Sequence, residues 1–244
     1  MKAVLTYHSI DRTGSVISIS PEQFGRHVEW LVSSGIEVVP LAWLGSVGAD
    51  RDAVALTFDD GFSNFATEAW PRLESHGFPA TLFVATAHAG GTNGWESGRH
   101  RVPVLPLLDW DALGRLAESG VELGSHSVTH PDLRHVAAGQ LAEEAGNSAE
   151  RIRAETGREA EAFAYPYGAH DARVATAVRA VYARAVTTEF REWSGREDAA
   201  RLPRLDAWYF REPGRLERWG TASFRRFITM RRRLRGARSF FTRG

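Results

Sequence analysis

The stretch "ALTFDDGFSN", residues 55–64, ends an apolar run in two adjacent carboxylates, Asp59 and Asp60, followed at once by Gly61. In an extended chain neighbouring side chains point to opposite faces. Two such neighbours cannot flank one glycosidic bond as acid and base, an arrangement that needs roughly 5 Å or more between carboxyl groups on either side of the sugar. They can both reach one metal ion if the strand ends here and Gly61 lets the chain turn. One carboxylate then binds the ion and the other serves as a general base beside it. A helix N-cap at Asp60 or Ser63, for a helix beginning at Asn64, accounts for only one of the two acids.

Outward from this point, short apolar runs alternate with amphipathic stretches. Strands are expected over 3–7, 36–39, 53–58, 80–85, 121–125, 161–165, 183–187 and 202–206. Helical periodicity covers 21–34, 64–76, 109–119, 137–156, 170–181 and 215–235. Ser20 before Pro21 suits a capped helix start. Leu141, Ala145, Ala149 and Ile152 form one stripe that Gly157 terminates. Such alternation implies parallel strands with right-handed crossovers, and seven or eight units in one domain suit a barrel better than an open sheet. In 244 residues, 43% of them hydrophobic, one large α/β domain is expected. Barrel active sites lie at the C-terminal strand ends. His8, Asp59, Asp60, His126, Tyr167 and Asp206 all follow or end strands, so a barrel gathers them at one mouth.

Cysteine is absent, which excludes disulfides and thiolate metal sites. No run of ~20 apolar residues is present to span a bilayer. The start "MKAVLTYHSI" reads as a strand and lacks the pattern of a signal peptide, so a cytoplasmic location is expected. Formal charge sums to zero but is unevenly spread: residues 225–244 hold eight arginines and no acid, leaving 22 basic and 30 acidic groups before them.

In "GSHSVTHPDL" His126 and His130 are four apart, and a helical turn would face both imidazoles one way. Two histidines and one carboxylate, from Asp60 or Asp59, make a common open metal site. A lone H-x-x-x-H more often marks two separate turn or capping residues; the strand-end position and the waiting aspartates favour the metal.

These residues carry a family resemblance. "TFDDG" and "HSVTHP" resemble the first two motifs of the polysaccharide deacetylases, the family-four carbohydrate esterases with the NodB-homology domain. "FAYPYG", residues 163–168, is similar to the third, and "LLDWDALGRLAESGVELGSHSVTHPDL" resembles the family throughout. The likeness covers roughly residues 1–210. It implies a distorted (β/α)7 barrel in a single domain, residues 1–215, followed by a basic amphipathic segment, 216–244. It implies metal-dependent removal of acetyl groups from an N-acetylated sugar or glycan. By position it makes Asp59 the general base and Asp60, His126 and His130 the ligands of one divalent metal. The Tyr167 backbone N–H becomes an oxyanion donor. Zinc is the default for such a donor set; nickel, cobalt and manganese also fit.

The sequence departs from the pattern twice. Ala164 stands where the third motif usually has an arginine supporting the base, and no histidine follows His170 to act as general acid. "LTYHSI" resembles a circularly permuted branch whose acid histidine lies on the first strand, which makes His8 the candidate donor, on the side opposite Asp59. Arg204 in "LPRLD" is the candidate replacement arginine, paired with Asp59 or Asp206. The plainer alternatives are a core histidine and a structural ion pair. Asn93, Trp95, Trp110, Asp206 and Trp208 are candidate sugar contacts, with packing as the alternative for the tryptophans. His88, His100, His135 and His170 read as loop residues, and His27 and His76 as helical.

The C-terminal arginines surround Phe224, Phe227 and Ile228. That composition suits either an interfacial helix on the anionic inner face of a membrane or a last barrel helix with a solvated basic side. No motif for nucleic-acid binding accompanies the charge. A barrel relative that binds carbohydrate without catalysis, or one that hydrolyses another small amide, remains a rival function.

Overall fold

The computed structural model describes residues 1–96 and 102–241; His100 lies outside the described residues. Ten strands follow in chain order: β1 (Lys2–Tyr7), β2 (Ser9–Ile10), β3 (Ser18–Ile19), β4 (Glu37–Val38), β5 (Ala53–Phe58), β6 (Ala80–Val84), β7 (Glu122–Ser125), β8 (Ala162–Ala164), β9 (Arg184–Val186) and β10 (Leu205–Asp206). The helices are α1 (Pro21–Ser34), α2 (Trp70–Glu74), α3 (Trp110–Glu118), α4 (Ala138–Thr156), α5 (Ala172–Arg179) and α6 (Ala222–Phe241). Seven strands form a parallel curled sheet in the order β10-β1-β5-β6-β7-β8-β9, with β4 added beside the start of β5. Leu202 bridges Val186 of β9 while Leu205, three residues on, pairs with Leu5 of β1. One short segment thus spans the gap between the sheet's two ends.

Strand alternation sorts the core into two layers. Leu5, Leu56, Leu82, Leu123, Phe163 and Leu205 face the helices. Val4, Ala53, Ala55, Phe83, Ala162, Ala164 and Val186 fill the interior, with Leu41 and Leu44 packed against them. The interior is narrow and lined mostly by small residues. Phe83 is its largest apolar occupant, and a Cβ on Gly124 would collide with the Phe83 ring.

Ser20 and Gln23 make a reciprocal capping box at α1, and Gly157 ends α4 in the left-handed region. Three helical expectations change. The run 64–76 is a π-turn, Phe65–Ala69, that passes into α2. Pro71 lacks the N–H that a continuous α-helix would use. The stretch 215–235 breaks after a short turn, Leu216–Arg218, because Gly220 takes a φ of 71° before α6 begins. On α4 the fully buried stripe includes Ser148, whose hydroxyl meets Ser125 and Tyr182. His76 falls in the turn after α2 and outside the helix. On α6, Phe224 and Ile228 are buried in the main core and Phe227 packs against it, so the apolar face proposed for a membrane is spent on the body of the domain.

Candidate active site

Asp59 and Asp60 share one mouth because the backbone changes hand between them. The Asp59 amide N–H still donates to the Tyr7 carbonyl at 2.9 Å, so the chain remains extended to that point. Continued alternation aims Asp59, like Thr57, into the barrel. Asp60 then takes a φ of 73° and Gly61 one of 78°. A left-handed non-glycine residue costs of order 1–3 kcal/mol, and here the reversal swings the second carboxylate back toward the same opening. Among the described residues, the other positive-φ residues that are not glycine are Ser127, His130 and Tyr167. All four lie in the turns after β5, β7 and β8.

The segment between His126 and His130 is not helical. Left-handed turns at Ser127 and His130 bring the imidazoles together. Ser125 Oγ accepts from the Ser127 N–H and Ser127 Oγ from the His130 N–H, at 3.1 and 3.0 Å. Glu144, on α4, accepts from the backbone N–H groups of Val128 and Thr129 and from the Thr129 hydroxyl. Sequence reading missed Glu144: as one of several acids on an exposed helix face it gives no signal of its own.

Asp60 Oδ1 lies 3.4 Å from His126 Nε2 and 3.5 Å from His130 Nε2, and the two Nε2 atoms are 3.3 Å apart. Ligands at tetrahedral zinc distances of ~2.0–2.1 Å lie ~3.3 Å from one another, so the triangle has the edges such an ion requires. His126 Nδ1 donates to the Ala164 carbonyl at 2.7 Å, which leaves the Nε2 lone pair of the neutral ring directed at the site. Burial first, and the neighbouring His126 after it, push the His130 imidazole down to about 3. For His126, burial also lowers the pKa, but the Asp60 hydrogen bond and the two carboxylates outweigh it and raise the net value. The Asp60 carboxyl is raised by burial yet held below its ordinary value by the His126 hydrogen bond and the His130 charge. This buried donor set fits one divalent ion.

Asp59 stands outside that triangle. Arg204 grips it with two nearly parallel hydrogen bonds, Nη1 to Oδ1 at 2.6 Å and Nη2 to Oδ2 at 2.7 Å. Arg204 is itself 1% exposed. Its Nε donates to the Thr187 carbonyl and its Nη1 also meets Thr57 Oγ1. Burial raises the Asp59 carboxyl, but the charge and hydrogen bonds of Arg204 hold it far below the usual carboxylate range. Ala164 carries only a methyl in the interior layer, and the guanidinium arrives from the closing segment beside β10 instead. His8 Nε2 lies 3.7 Å from Asp59 Oδ2, at the same mouth.

A cavity of about 140 Å³ joins His8, Asp59, Asp60, His126, His130 and Tyr167. Ile17, just before β3, and Thr188, after β9, add to its wall. Tyr167 has a φ of 59° and its ring meets His130 edge-on at 4.7 Å. A Cβ at the following Gly168 would run into Thr188. Trp95 packs on His130 and His88, with ring centroids 4.8 and 4.5 Å apart. The remaining candidates are elsewhere. Asn93 is buried and spends its amide on its own loop, donating to the Pro103 carbonyl and accepting from the Leu105 N–H. Trp110 opens α3 beneath Arg151 of α4. Trp208 lies under the Arg211 guanidinium at 3.8 Å, so a cation occupies the face a sugar would use. Asp206 accepts from the Trp208 N–H and faces Arg235 at 3.7 Å. Of the other histidines, His27 is buried between the Tyr7 hydroxyl and the Phe210 carbonyl, His135 is exposed beside Asp132, and His170 stacks on Tyr165.

The fold is a curled parallel barrel with a buried Asp-His-His cluster, able to hold a metal ion, at the C-terminal strand ends. The profile of the polysaccharide deacetylases matches residues 46–186, and the chain belongs to that family. The Bacillus subtilis (strain 168) protein YxkH, which carries a polysaccharide deacetylase name, is 24% identical over 192 residues, covering 76% of this chain and 64% of YxkH. Among solved structures, the deacetylase PplD of Streptococcus pyogenes superposes with a TM-score of 0.71 at 21% identity, over 84% of this chain and 91% of PplD. IcaB of Ammonifex degensii gives 0.71 at 22%, over 85% and 94%. These likenesses show a common barrel. The chain spans less than two thirds of YxkH.

Proposed function

We propose that the protein is a metal-dependent deacetylase that hydrolyses the acetamide of an N-acetylated sugar or glycan, releasing acetate and a free amine. The observation that carries this reading is the juxtaposition of a metal-sized Asp60-His126-His130 triangle with an ionised carboxylate, Asp59, that Arg204 keeps apart from it. Zinc is the expected ion. When bound, it supplies Lewis-acid polarisation of the acetyl carbonyl oxygen. Asp59 accepts a proton from the attacking water as the water oxygen bonds to the carbonyl carbon. Arg204 keeps that carboxylate ionised and oriented between turnovers, which also makes it a weaker base that gives the proton up readily. The Tyr167 N–H is the proposed donor to the developing oxyanion. His8, as imidazolium, gives a proton to the nitrogen as the C–N bond breaks. The cavity is smaller than the ~300–1,000 Å³ of a pocket that encloses a whole drug-sized ligand, which suits an acetamido group presented by a larger sugar left outside.

The test is acetate release from N-acetylglucosamine oligomers, nucleotide-linked and lipid-linked acetamido sugars, with metal content measured on the same samples. Activity should vanish on chelation and return with a divalent ion. His126→Ala should lose bound metal and acetate release together. Stoichiometric metal in that variant would remove the ligand assignment. Metal bound without acetate release from any of these substrates would favour a carbohydrate-binding relative.

A further inference from the structure

Helix α6 carries seven arginines and no acid, and the six from Arg225 to Arg235 divide between two faces. On the side packed against the domain, Arg225 donates to Glu192, Arg232 to Glu189, and Arg235 faces Asp206. Arg231 lies over the Tyr209 and Phe227 rings at 5.1 and 5.4 Å. These four arginines are engaged with the body. Arg226, Met230, Arg233 and Leu234 form a second stripe at i, i+4, i+7 and i+8 on the outer side. Met230 is 49% exposed and Leu234 51%. Arg226 and Arg233 are exposed, and neither has an acid within ion-pair distance among the described residues.

Two features choose the occupant of this stripe. Its charge is complementary to an anionic surface. Met230 stands between the two arginines that lack acid partners and Leu234 directly follows the second; a polynucleotide or an acidic glycan would offer these apolar residues nothing, whereas the boundary between headgroups and acyl chains accommodates both kinds of side chain. We propose that α6 lies flat on an anionic phospholipid bilayer through Arg226, Met230, Arg233 and Leu234. No helix among the described residues is long and apolar enough to cross a membrane, so the association is peripheral. Arg235 also donates to the Thr188 carbonyl at 3.4 Å, and Thr188 lines the site cavity. The helix is therefore tied to the rim of the mouth, and docking would hold that mouth beside the membrane.

Flotation of the full chain with vesicles tests this without reference to catalysis. The protein should rise with vesicles of equimolar phosphatidylglycerol and phosphatidylcholine, not with phosphatidylcholine alone, and added salt should release it. Replacing both Arg226→Gln and Arg233→Gln should weaken partitioning roughly thirty-fold, while the paired Arg→Lys changes should retain it. Met230→Ser with Leu234→Ser should weaken it roughly tenfold or more without changing retention on heparin. Equal flotation with both vesicle types, absence of flotation, or full binding by the Met230/Leu234 variant would overturn the proposal. The last result would point to a soluble polyanion.

Discussion

The barrel has a hollow at each end. At the C-terminal ends of its strands a cavity of about 140 Å³ holds two buried aspartates and two buried histidines. At the opposite end a larger cavity, about 600 Å³, is walled by Pro40, Trp43, Thr81, Glu122 and Arg184. Both contain charge, but they handle it differently. At the larger hollow burial pushes the Glu122 carboxyl up, and the Thr81 hydroxyl and Arg184 satisfy it. Among the described residues, no positive-φ residue other than glycine occurs there. At the smaller one the backbone adopts left-handed φ at Asp60, Ser127, His130 and Tyr167, and several polar atoms converge on one point. The difference teaches that volume is a poor guide to chemistry. Strain retained beside convergent, incompletely satisfied ligand atoms is the better one.

Substitutions at the two ends can sharpen or break this contrast. The largest effect after loss of the metal ligands is expected at Asp59. Asp59→Asn should retain the ion and lose ~10²–10⁴-fold in acetate release. Near-normal turnover would place the base elsewhere.

Arg204→Met comes next, and it should act on stability as well as rate. It leaves a buried carboxylate unpaired, which costs about 3–5 kcal/mol. The sign with pH follows from the depressed Asp59 value. In the native protein the pair's contribution is fully present above the ordinary aspartate pKa of 3.8 and is lost as pH falls below it. Denaturant unfolding should therefore show the variant much weaker at neutral pH, with the gap closing in acid. A gap that does not change with pH would mean Arg204 stabilises by packing alone.

His8→Ala should keep the metal and lose roughly 10²-fold on an acetamide, but far less on an activated ester, whose leaving group needs little protonation. Equal losses on both substrates would make His8 a wall residue, as its place beside Asp59 also allows. The smallest effect is expected at the other end of the barrel, where Glu122→Gln should leave acetate release within about twofold of the parent, as for surface changes remote from a site. A large loss there would erase the distinction between the two hollows.

Much of this was legible in the chain. The alternation of apolar runs and amphipathic stretches implied parallel strands and a barrel, because a period of 2 or 3.6 is written locally, though not that β4 would lie off the main sheet path. The motifs "TFDDG" and "HSVTHP" marked Asp59, Asp60, His126 and His130, since acids and imidazoles at strand ends have few structural uses. What the sequence could not supply was direction and partnership. The same spacing that suggested a helical turn for His126 and His130 is realised by two left-handed residues. Whether Arg204 met Asp59 or Asp206 depended on how the segment before β10 enters the barrel, a contact across 145 positions. Trp110 and Trp208 carry the composition of sugar platforms, yet Arg151 and Arg211 cover them. The Arg-rich end gave its charge from composition alone, but only the packing of Phe224 and Ile228 decided which arginines face outward. Local periodicity is a property of neighbours in sequence; the pairing of buried charges and the choice of exposed face are set by which distant elements the curled sheet brings together.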